Sequence, residues 1–321
     1  MRNTRIVEML EVTEAAALAA ARWMGRGDKM AADDAAVEAM RKGFDNIDIS
    51  GQIVIGEGER DEAPMLFIGE KVGRGGDEVD IAVDPLEGTN LCAYGQPNAL
   101  ATLAVAPKGT LLHAPDTYMW KIATGPEAAA VIHIDATPTE NVKAVARALK
   151  REVEDIVVCV LERPRHEDLI RELREAGARI RLISDGDVFG AIATAIEGTG
   201  IHLYMGAGGA PEGVLACAAM KCIGGNFMGR FQFRSDEERK RAEEMAYCDL
   251  DQVLDMDCLV HTDESSFIAT GVTDGELLKG VKYFGKGMRT HSIAMDCRTK
   301  SVRFIETVYR AGAEKFWVRM D

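Results

Sequence analysis

Long apolar runs are missing from this sequence of 321 residues. No stretch approaches the ~20 apolar residues that cross a bilayer, and the segment Met1–Glu11 lacks the apolar core of a signal peptide. Cysteine is sparse: the seven cysteines, an odd number, are scattered without a C-x-x-C pair or nearby histidines. We therefore expect buried thiols in a reducing compartment, no membrane partner and a cytoplasmic location.

The motifs of several enzyme classes are also missing. No G-x-x-x-x-G-K-[ST] is present and no G-x-G-x-x-G opens a βαβ unit, so neither a P-loop nor a dinucleotide-binding fold is indicated. The six histidines show neither H-x-H nor H-E-x-x-H spacing, and there is no G-x-S-x-G elbow. Zinc hydrolase chemistry and nucleophilic serine chemistry are therefore disfavoured.

Positive charge is in deficit. The chain has 38 basic and 52 acidic residues, a formal net charge of −14, which argues against nucleic acid or an anionic membrane as a partner. The same charge would repel a sugar phosphate unless metal ions or a local basic patch reversed its sign. The hydrophobic fraction of 47% is that of a globular protein, and the length suffices for two domains or one two-lobed unit.

The first 135 residues read as an α+β lobe with largely antiparallel strands. A glycine stop and apolar periodicity predict helices over about 5–24 and 33–42, strands near 52–56 and 79–84, and a hairpin from 100–106 and 110–114. Pro85 is expected to end the second of these strands.

Residues 136–321 read as an α/β lobe. Thr137-Pro138-Thr139-Glu140 is a capping box that opens a helix, and strands and helices then alternate to about residue 223. This alternation predicts parallel strands joined by crossover helices. The closing strands, with a hairpin near Arg298-Thr299-Lys300, are expected in this lobe or packed back on the first. The predicted class is α/β, with domains at 1–135 and 136–321.

The segment 79–89 carries the strongest chemical signal. An apolar run precedes Asp84, Glu87 and Thr89, so that two carboxylates three residues apart stand at a strand end, the outline of a hard-oxygen metal site. The Gly88-Thr89 step offers backbone N–H groups to an anion. Upstream, another apolar run leads into Gly56-Glu57-Gly58-Glu59. Two strand ends with acids predict a divalent cation cluster, best suited to Mg²⁺ or Mn²⁺, of the kind that handles phosphate.

Polar loops follow the strands of the second lobe. They are Arg163-Pro164-Arg165-His166, Asp185-Gly186-Asp187 and a glycine-rich turn over 206–212. Open parallel sheets bind ligands at the carboxyl ends of their strands. Together these three loops offer cations, acids and a turn before a helix, the groups that a binding site for a sugar phosphate requires.

Structural roles compete with these assignments. Asp33 or Asp34 could cap the second helix, and Glu212 could complement a helix dipole. Lys29 could be solvated in its glycine loop, and the arginines of 163–165 could pair with neighbouring glutamates. Spacing alone leaves these alternatives open.

Taken together, the motifs resemble those of the class II fructose-1,6-bisphosphatases, within the magnesium-dependent, lithium-sensitive sugar and inositol phosphatase superfamily. Residues 84–89 match the superfamily pattern D-P-[LI]-[DE]-G-[TS]. The more specific class II patterns are G-R-G-D-K at 25–29, G-E-G at 56–58, P-R-H at 164–166, D-G-D at 185–187 and G-G-A-P-E-G at 208–213. The similarity extends to G-V-T-D-G-E-L-L at 271–278 and the closing strands.

This resemblance implies a layered α-β-α-β-α sugar-phosphatase fold and site roles for particular residues. The implied metal ligands are Asp33, Glu57, Asp84, Glu87 and Glu212, with the carbonyl of Leu86 as a further candidate. The residues implied to support the attacking water are Lys29, Glu57, Asp61 and Thr89. The implied substrate contacts are Glu87, Gly88, Thr89, Tyr118, Arg163, Pro164, Arg165, Asp185, Gly186, Asp187 and Gly209. Arg163 differs from the family, in which lysine is common at this position. The positive charge is the same, but a guanidinium group binds phosphate with a different geometry from an ammonium group.

The implied reaction is the metal-dependent hydrolysis of D-fructose 1,6-bisphosphate to fructose 6-phosphate and phosphate, with sedoheptulose 1,7-bisphosphate open as a second substrate. The expected partner is a small sugar bisphosphate, and we expect a homo-oligomer, a dimer or a tetramer. An inositol or other sugar monophosphatase on the same scaffold is the alternative among enzymes. A non-catalytic, metal-dependent sugar-phosphate sensor is the alternative from another class.

Overall fold

The computed structural model describes residues 3–58, 65–245, 249–285 and 287–310. The chain forms two compact units, one of residues 1–110 with 264–321 and the other of residues 111–263. Each unit contains one β-sheet together with helices, which confirms the mixed α/β class predicted from the sequence. Within the described ranges, every helix is too short or too polar to span a bilayer.

The helices follow in chain order. They are α1 (Asn3–Ala21), α2 (Lys29–Phe44), α3 (Thr89–Ala93), α4 (Pro138–Leu149), α5 (Glu167–Glu175), α6 (Asp187–Ile192), α7 (Ala210–Ile223), α8 (Asp236–Met245) and α9 (Met256–Leu259). The strands are β1 (Ile49–Ile55), β2 (Lys71–Val72), β3 (Asp77–Glu87), β4 (Leu100–Pro107), β5 (Tyr118–Thr124), β6 (Val157–Leu161), β7 (Arg179–Ile183), β8 (Leu203–Gly209), β9 (Asn226–Gln232), β10 (Ser266–Gly271), β11 (Lys282–Phe284), β12 (Gly287–Asp296) and β13 (Ser301–Tyr309).

The sheet of the first unit has the strand order β11-β12-β10-β4-β3-β1-β2, and β13 pairs with β12. Alanine-rich α1 packs on it: Met9 and Leu18 of this helix are fully buried in one core with Phe44, Val105 and Ile268. Small side chains on a helix allow the close approach to a sheet that this burial requires. The predicted hairpin near residues 298–300 is confirmed by the antiparallel pairing of β12 with β13.

Two expectations about this unit were wrong. The hairpin predicted from 100–106 and 110–114 does not form, because β4 pairs with β3 and β10, and Leu111 instead makes an isolated bridge to Val260. The strands are also not uniformly antiparallel, since β1 runs parallel to β3. An apolar run indicates a buried strand, but it does not indicate which other strand pairs with it.

The sheet of the second unit has the order β7-β6-β8-β5-β9. The strands β7, β6 and β8 are parallel, as the alternating pattern predicts, whereas β5 is antiparallel to both β8 and β9. The capping box at the start of α4 is confirmed: the Thr137 hydroxyl accepts a hydrogen bond from the Glu140 N–H at 3.1 Å, and the Glu140 carboxylate accepts one from the Thr137 N–H at 2.8 Å. The parallel strands β6 and β7 are followed by the polar segments at 163–166 and 185–187 that the sequence singled out. The glycine-rich turn predicted over 206–212 does not form, because residues 206–209 continue β8 in its pairing with β5 and α7 begins directly at Ala210.

The division between units differs from the boundary expected near residue 135. The chain passes into the second unit after Thr110 and returns to the first at Glu264. The reason lies in the pairing of strands, because β5 belongs with β8 and β9, while β10 to β13 extend the sheet that contains β3 and β4. The closing strands therefore belong to the first unit.

Candidate active site

Two neighbouring parallel strands bring acids to the same end of the first sheet. In the register of β1 against β3, Ile55 lies opposite Ala82. Glu57 and Asp84 each stand two residues beyond these partners. The loop after β1 is held in place because the backbone N–H of Glu57 donates to the carbonyl of Leu66 at 3.1 Å. The two acids predicted at separate strand ends therefore emerge from adjacent strands.

A bulge in β3 brings Asp84 and Glu87 together. The pairing of β3 with β4 shifts between these residues, which lie opposite Thr102 and Leu100. In a regular strand, side chains three residues apart point to opposite faces, and the extra residue of a bulge cancels that alternation. Carboxylate oxygens of Asp84 and Glu87 lie within 4.8 Å of each other.

The bulge also corrects the expectation that Pro85 ends this strand. Strand β3 continues through Pro85 to Glu87, because a bulge is one of the few places where a sheet tolerates proline. The local conformation is further held by the backbone N–H of Leu86, which donates to Oδ1 of Asp84 at 3.0 Å. Glu87 is buried, with 5% of its surface exposed, a position that carboxylates seldom occupy in folded proteins.

Asp33 faces Thr89 from the second helix. The N-cap of α2 is Asp28, whose side chain accepts a hydrogen bond from the Ala31 N–H at 3.0 Å, so neither Asp33 nor Asp34 caps that helix. The hydroxyl of Thr89 lies 3.4 Å from Oδ1 of Asp33 and 3.0 Å from the carbonyl oxygen of Leu86. Burial raises the pKa of Asp33, partly opposed by this hydrogen bond and increased further by the charge of Asp34.

The remaining predicted residues of this unit are Gly88, Lys29 and Asp61. Gly88 precedes α3 with a φ of 81°, a left-handed conformation that favours glycine. Lys29 is exposed at the start of α2, and its ammonium group lies 5.3 Å from the centre of the Tyr94 ring. Asp61 lies outside the described residues.

In the second unit, Glu212 lies in the first turn of α7. Its Oε2 atom is buried and has no hydrogen-bond partner among the described residues. A Cβ atom on Gly209 would lie 1.9 Å from Oε2, so the absence of a side chain at position 209 makes room for this carboxylate. Burial, and next the charge of Asp187, raise the pKa of Glu212. An unsatisfied buried carboxylate with a raised pKa fits a place where a cation binds.

Asp187 is paired with a buried lysine that the sequence analysis did not single out. Lys121 of β5 is completely buried, and its ammonium group binds Oδ2 of Asp187 and the carbonyl oxygen of Gly209, the latter at 2.7 Å. Gly186, buried with a φ of 91°, precedes α6, which begins at Asp187. The signal that could have found Lys121 is a single charge inside an otherwise apolar strand.

The two arginines of the 163–165 loop are held in different ways. Arg165 donates from Nε and Nη2 to the carbonyl oxygen of Ala207, at 3.1 and 2.7 Å, and its guanidinium group lies 4.8 Å from the centre of the Tyr118 ring. Arg163 donates from Nη1 to the carbonyl of Glu162 at 3.1 Å, and its Nη2 is 4.0 Å from Asp185. The predicted alternative of pairing with Glu162 or Glu167 side chains is not the arrangement described for either arginine. Pro164, between them, is exposed.

His166 belongs to the polar loop and the P-R-H pattern noted in the sequence, but no role was predicted for it. It is fully buried, its Nδ1 is 2.7 Å from the carbonyl oxygen of Leu161, and its Nε2 accepts a hydrogen bond from the backbone N–H of Ala207 at 2.8 Å. These partners assign the ring as neutral with its proton on Nδ1. The peptide groups on both sides of Ala207 are thereby bound, one by His166 and the other by Arg165.

Each unit offers its own chemistry. The first presents carboxylate oxygens of Asp33, Asp84 and Glu87 beside a threonine hydroxyl, a set of hard oxygen donors suited to a divalent cation. The second presents guanidinium groups, an aromatic ring and buried carboxylates, a set suited to a phosphorylated polyol.

The chain is similar to known proteins of one family. The family model described as "Bacterial fructose-1,6-bisphosphatase, glpX-encoded" matches residues 3–309. A protein of Synechococcus sp. (strain JA-2-3B'a(2-13)) is 47% identical over 96% of each chain, and one of Trichodesmium erythraeum (strain IMS101) is 46% identical over 98% of this chain and 99% of that protein. Both are named D-fructose 1,6-bisphosphatase class 2/sedoheptulose 1,7-bisphosphatase. Among solved structures, inositol monophosphatase from Anabaena (Nostoc) sp. PCC 7120 matches with a TM-score of 0.31 and 16% identity, over 60% of this chain and 71% of that chain.

Proposed function

The chain belongs to the family of bacterial fructose-1,6-bisphosphatases encoded by glpX, and we propose that it is a metal-dependent phosphatase that hydrolyses the 1-phosphate of D-fructose 1,6-bisphosphate. The products are fructose 6-phosphate and inorganic phosphate. Sedoheptulose 1,7-bisphosphate, which the names of the relatives include, is the proposed second substrate. The structural observation that carries the proposal is the bulge of β3, which places the carboxylates of Asp84 and Glu87 side by side.

The proposed metal ligands are Asp33, Glu57, Asp84, Glu87 and Glu212, with Mg²⁺ or Mn²⁺ as the ion. The buried Oε2 of Glu212, which has no hydrogen-bond partner among the described residues, supports this set, because a charged carboxylate in such surroundings requires a compensating positive charge. A divalent cation supplies Lewis acidity toward water and positive charge toward phosphoryl oxygens. The oxygen-only ligand set favours Mg²⁺ or Mn²⁺ over softer metals.

Thr89 is proposed to orient the attacking water. Its single hydroxyl proton is engaged by the Leu86 carbonyl oxygen at 3.0 Å, with Asp33 as a second acceptor at 3.4 Å, so its lone pairs remain available to accept a hydrogen bond from water. This hydrogen bond occupies one of the two lone pairs of the Leu86 carbonyl oxygen and leaves the other for its candidate role as a metal ligand. Glu57 or Asp61 is the proposed second contact of the water, and Lys29 the supporting cation.

Arg163 and Arg165 are proposed to bind the remote phosphate. The contact of Arg165 with Ala207 uses Nε and Nη2 and leaves the Nη1 donors for an anion, while the backbone carbonyl fixes the plane of the guanidinium group. Beside Arg163 and Pro164 lies a groove of about 550 Å³ that Arg171 and Arg174 also line. Binding energy gained at this phosphate positions the distant ester for reaction.

The other proposed substrate contacts surround these groups. The carboxylates of Asp185 and Asp187 accept hydrogen bonds from sugar hydroxyls, and Tyr118 packs beside the ligand below Arg165. Gly186 and Gly209 have no side chains, so the ligand can approach the backbone at these positions. Gly88, Thr89 and Glu87 contact the phosphate that is hydrolysed. For the scissile phosphate, backbone N–H groups at the start of α3 supply donors without a side chain.

The experiment that tests the function measures phosphate release from fructose 1,6-bisphosphate with added Mn²⁺, with added Mg²⁺ and with EDTA. Inositol 1-phosphate and fructose 6-phosphate serve as monophosphate controls, and sedoheptulose 1,7-bisphosphate is assayed in parallel. We expect metal-dependent release from the bisphosphates with a preference over the monophosphates. Binding of the bisphosphate without release would identify a sensor, and preference for monophosphates would identify the alternative enzyme.

Two further properties are proposed from the sequence. We propose a cytoplasmic location, because the scattered cysteines suit a reducing compartment. We also propose a homo-oligomer, a dimer or a tetramer, which light scattering coupled to size-exclusion chromatography measures directly. A mass of 34.9 kDa in that measurement would identify a monomer and contradict this second proposal.

A further inference from the structure

Lys121 is a buried cation that the proposed chemistry leaves unexplained. It lies in the middle of β5 with 0% of its surface exposed, and its neighbours Met119 and Ile122 on the strand are equally buried. A lysine in such a position is rare unless it is paired, because removing an ammonium ion from water is costly. Both described partners of its ammonium group, Asp187 and the Gly209 carbonyl, belong to the proposed substrate site.

The carboxylate of Asp187 is only half satisfied by this pair. Lys121 binds Oδ2, whereas Oδ1 is buried and has no hydrogen-bond partner among the described residues. An ionised carboxylate has about four acceptor positions, and a buried oxygen without a donor is unfavourable. The protein thus buries a charge pair with one acceptor left open, an unfavourable arrangement that two apolar residues at these positions would not create.

The backbone around the pair is shaped to keep it in place. A Cβ atom on Gly208 would lie 1.8 Å from Oδ2 of Asp187 and 2.9 Å from the ammonium nitrogen of Lys121. Gly208 has no side chain, so the carboxylate and the ammonium group can meet against the β8 backbone. The second bond of Lys121, to the Gly209 carbonyl, ties the residue before α7 to the same ammonium group.

We propose that Lys121 is a positioning residue for the sugar: it holds Oδ2 of Asp187 and the carbonyl of Gly209, and thereby presents Oδ1 of Asp187 as an acceptor for a hydroxyl group of the polyol. The inference rests on the proposed function and extends it by assigning a role to a residue that contacts no substrate itself. The ligand feature that it recognises is a hydroxyl-bearing carbon chain, as distinct from the phosphates that the arginines and the metal site bind.

The test compares Lys121→Met on two substrates at saturating Mn²⁺. Fructose 1,6-bisphosphate carries the sugar hydroxyls, and p-nitrophenyl phosphate has none. We expect KM for the bisphosphate to rise about 10- to 100-fold, the range of a lost hydrogen bond to a charged group, while kcat/KM for p-nitrophenyl phosphate changes less than about threefold. Gly208→Ala, which leaves Lys121 in the chain but crowds the pair, should give the same pattern.

Lys221→Met is the matched control. Lys221 is also buried in this unit, and it also binds a carboxylate, of Asp257 at 2.6 Å, and a backbone carbonyl, of Val260 at 2.8 Å. It lies nine residues beyond Glu212 in α7, about 14 Å along the helix axis. We expect this variant to lower Tm as Lys121→Met does but to leave the ratio of KM values for the two substrates at the wild-type level.

The double variant Lys121→Met/Asp187→Asn covers the case in which Lys121→Met does not fold. It removes both charges of the pair, so that neither partner is left as a buried ion without the other, and it should fold while KM for the bisphosphate stays raised. A wild-type KM in this double variant, or equal losses on both substrates in Lys121→Met, would overturn the inference.

A readout without metal completes the test. In EDTA, the rise in Tm caused by fructose 6-phosphate should be present in the wild type, present in Lys221→Met and lost in the Lys121 variants. Retention of the shift in folded Lys121 variants would contradict the inference. If the wild-type protein releases no phosphate from the bisphosphate, the proposed function itself fails, which is a different outcome from activity that is indifferent to Lys121.

Discussion

Nε2 of His166 accepts a hydrogen bond from the backbone N–H of Ala207 at 2.8 Å, and the carbonyl of the same residue binds Arg165. The end of β8 and the loop after β6 are therefore joined by two adjacent side chains of the P-R-H motif. The position of Arg165 depends on Ala207, and that of Ala207 depends on a neutral His166.

His166 should make stability depend on pH. Burial lowers its pKa from 6.5, partly opposed by the bond to Leu161, and nearby Arg165 and Arg163 lower it further. Because the folded state disfavours protonation, this contribution to the free energy of unfolding is complete above about pH 6.5 and declines as the pH falls below it. Urea denaturation at pH 7.5 and 5.5 should show a smaller decline in His166→Gln than in the wild type. Equal declines would contradict the assigned neutral ring.

Gly209→Ala should impair metal use with little loss of stability. The φ of −64° at this position suits alanine, but the new Cβ would lie 1.9 Å from Oε2 of Glu212, the end of a side chain that can move. We expect the Mn²⁺ concentration for half-maximal activity to rise about 10- to 100-fold. Thermal unfolding in EDTA provides the stability control, and an unchanged metal dependence would exclude Glu212 from the ligand set.

Asp84→Asn should remove turnover of fructose 1,6-bisphosphate, because a neutral amide is a poor ligand for a divalent ion. The control is Asp80→Asn on the same strand, a buried acid whose Oδ2 accepts a hydrogen bond from the Thr110 N–H at 2.9 Å. This control should affect stability rather than the metal requirement. Phosphate release and Mn²⁺ binding by calorimetry are measured for both, and near-normal turnover by Asp84→Asn would rule out the proposed cluster.

Arg165→Ala should reduce kcat/KM for the bisphosphate about 10- to 100-fold and that for p-nitrophenyl phosphate much less, since only the bisphosphate has a remote phosphate. Arg179→Ala serves as the control, because Arg179 is an exposed arginine of the same unit that also donates to a backbone carbonyl, that of Asp155 at 2.9 Å. Equal losses on the two substrates would mean that Arg165 maintains the fold of the site instead of binding phosphate.

Glu14→Gln should stabilise the protein most at alkaline pH. Glu14 is buried in α1, where the hydroxyls of Tyr309 and Thr290 donate to it, and burial raises its pKa from 4.5. An acid with a raised folded pKa contributes stability below its unfolded value and loses it as the pH rises through the folded value. The gain in free energy of unfolding should therefore be larger at pH 8 than at pH 4. Glu8→Gln, which removes a negative charge from the same helix, is measured in parallel as the control.

Local signals predicted local features well. The capping box of α4 forms as expected because both of its hydrogen bonds lie within four residues. The carboxylates of the segment 84–89 lie together as predicted, although by a bulge through Pro85 and not by a strand end. A sequence shows that proline disturbs a strand, but whether the strand stops or bulges depends on the neighbouring β4.

Features set by distant partners were not predictable in the same way. The hairpin predicted after β4 did not form, and β1 pairs with β3 in parallel. In both cases several apolar strands of similar composition could have been the partner. Lys121 escaped notice, and His166 was noted in its motif without a role, since the function of a single histidine or lysine depends on the residues that surround it. Ala207, which binds two side chains through its peptide groups, carries no signal at all in its own side chain.

Residue chemistry by itself determined the family, the kind of ion and the kind of ligand, because hard oxygen donors, guanidinium groups and glycine turns have the same preferences wherever they are placed. Only the tertiary structure decided which carboxylate oxygen has no hydrogen-bond partner among the described residues and which lysine is buried beside that carboxylate. It also decided which strands pair with each other. Those properties arise from desolvation and from contacts between residues far apart in the chain, and neither exists until the chain has folded.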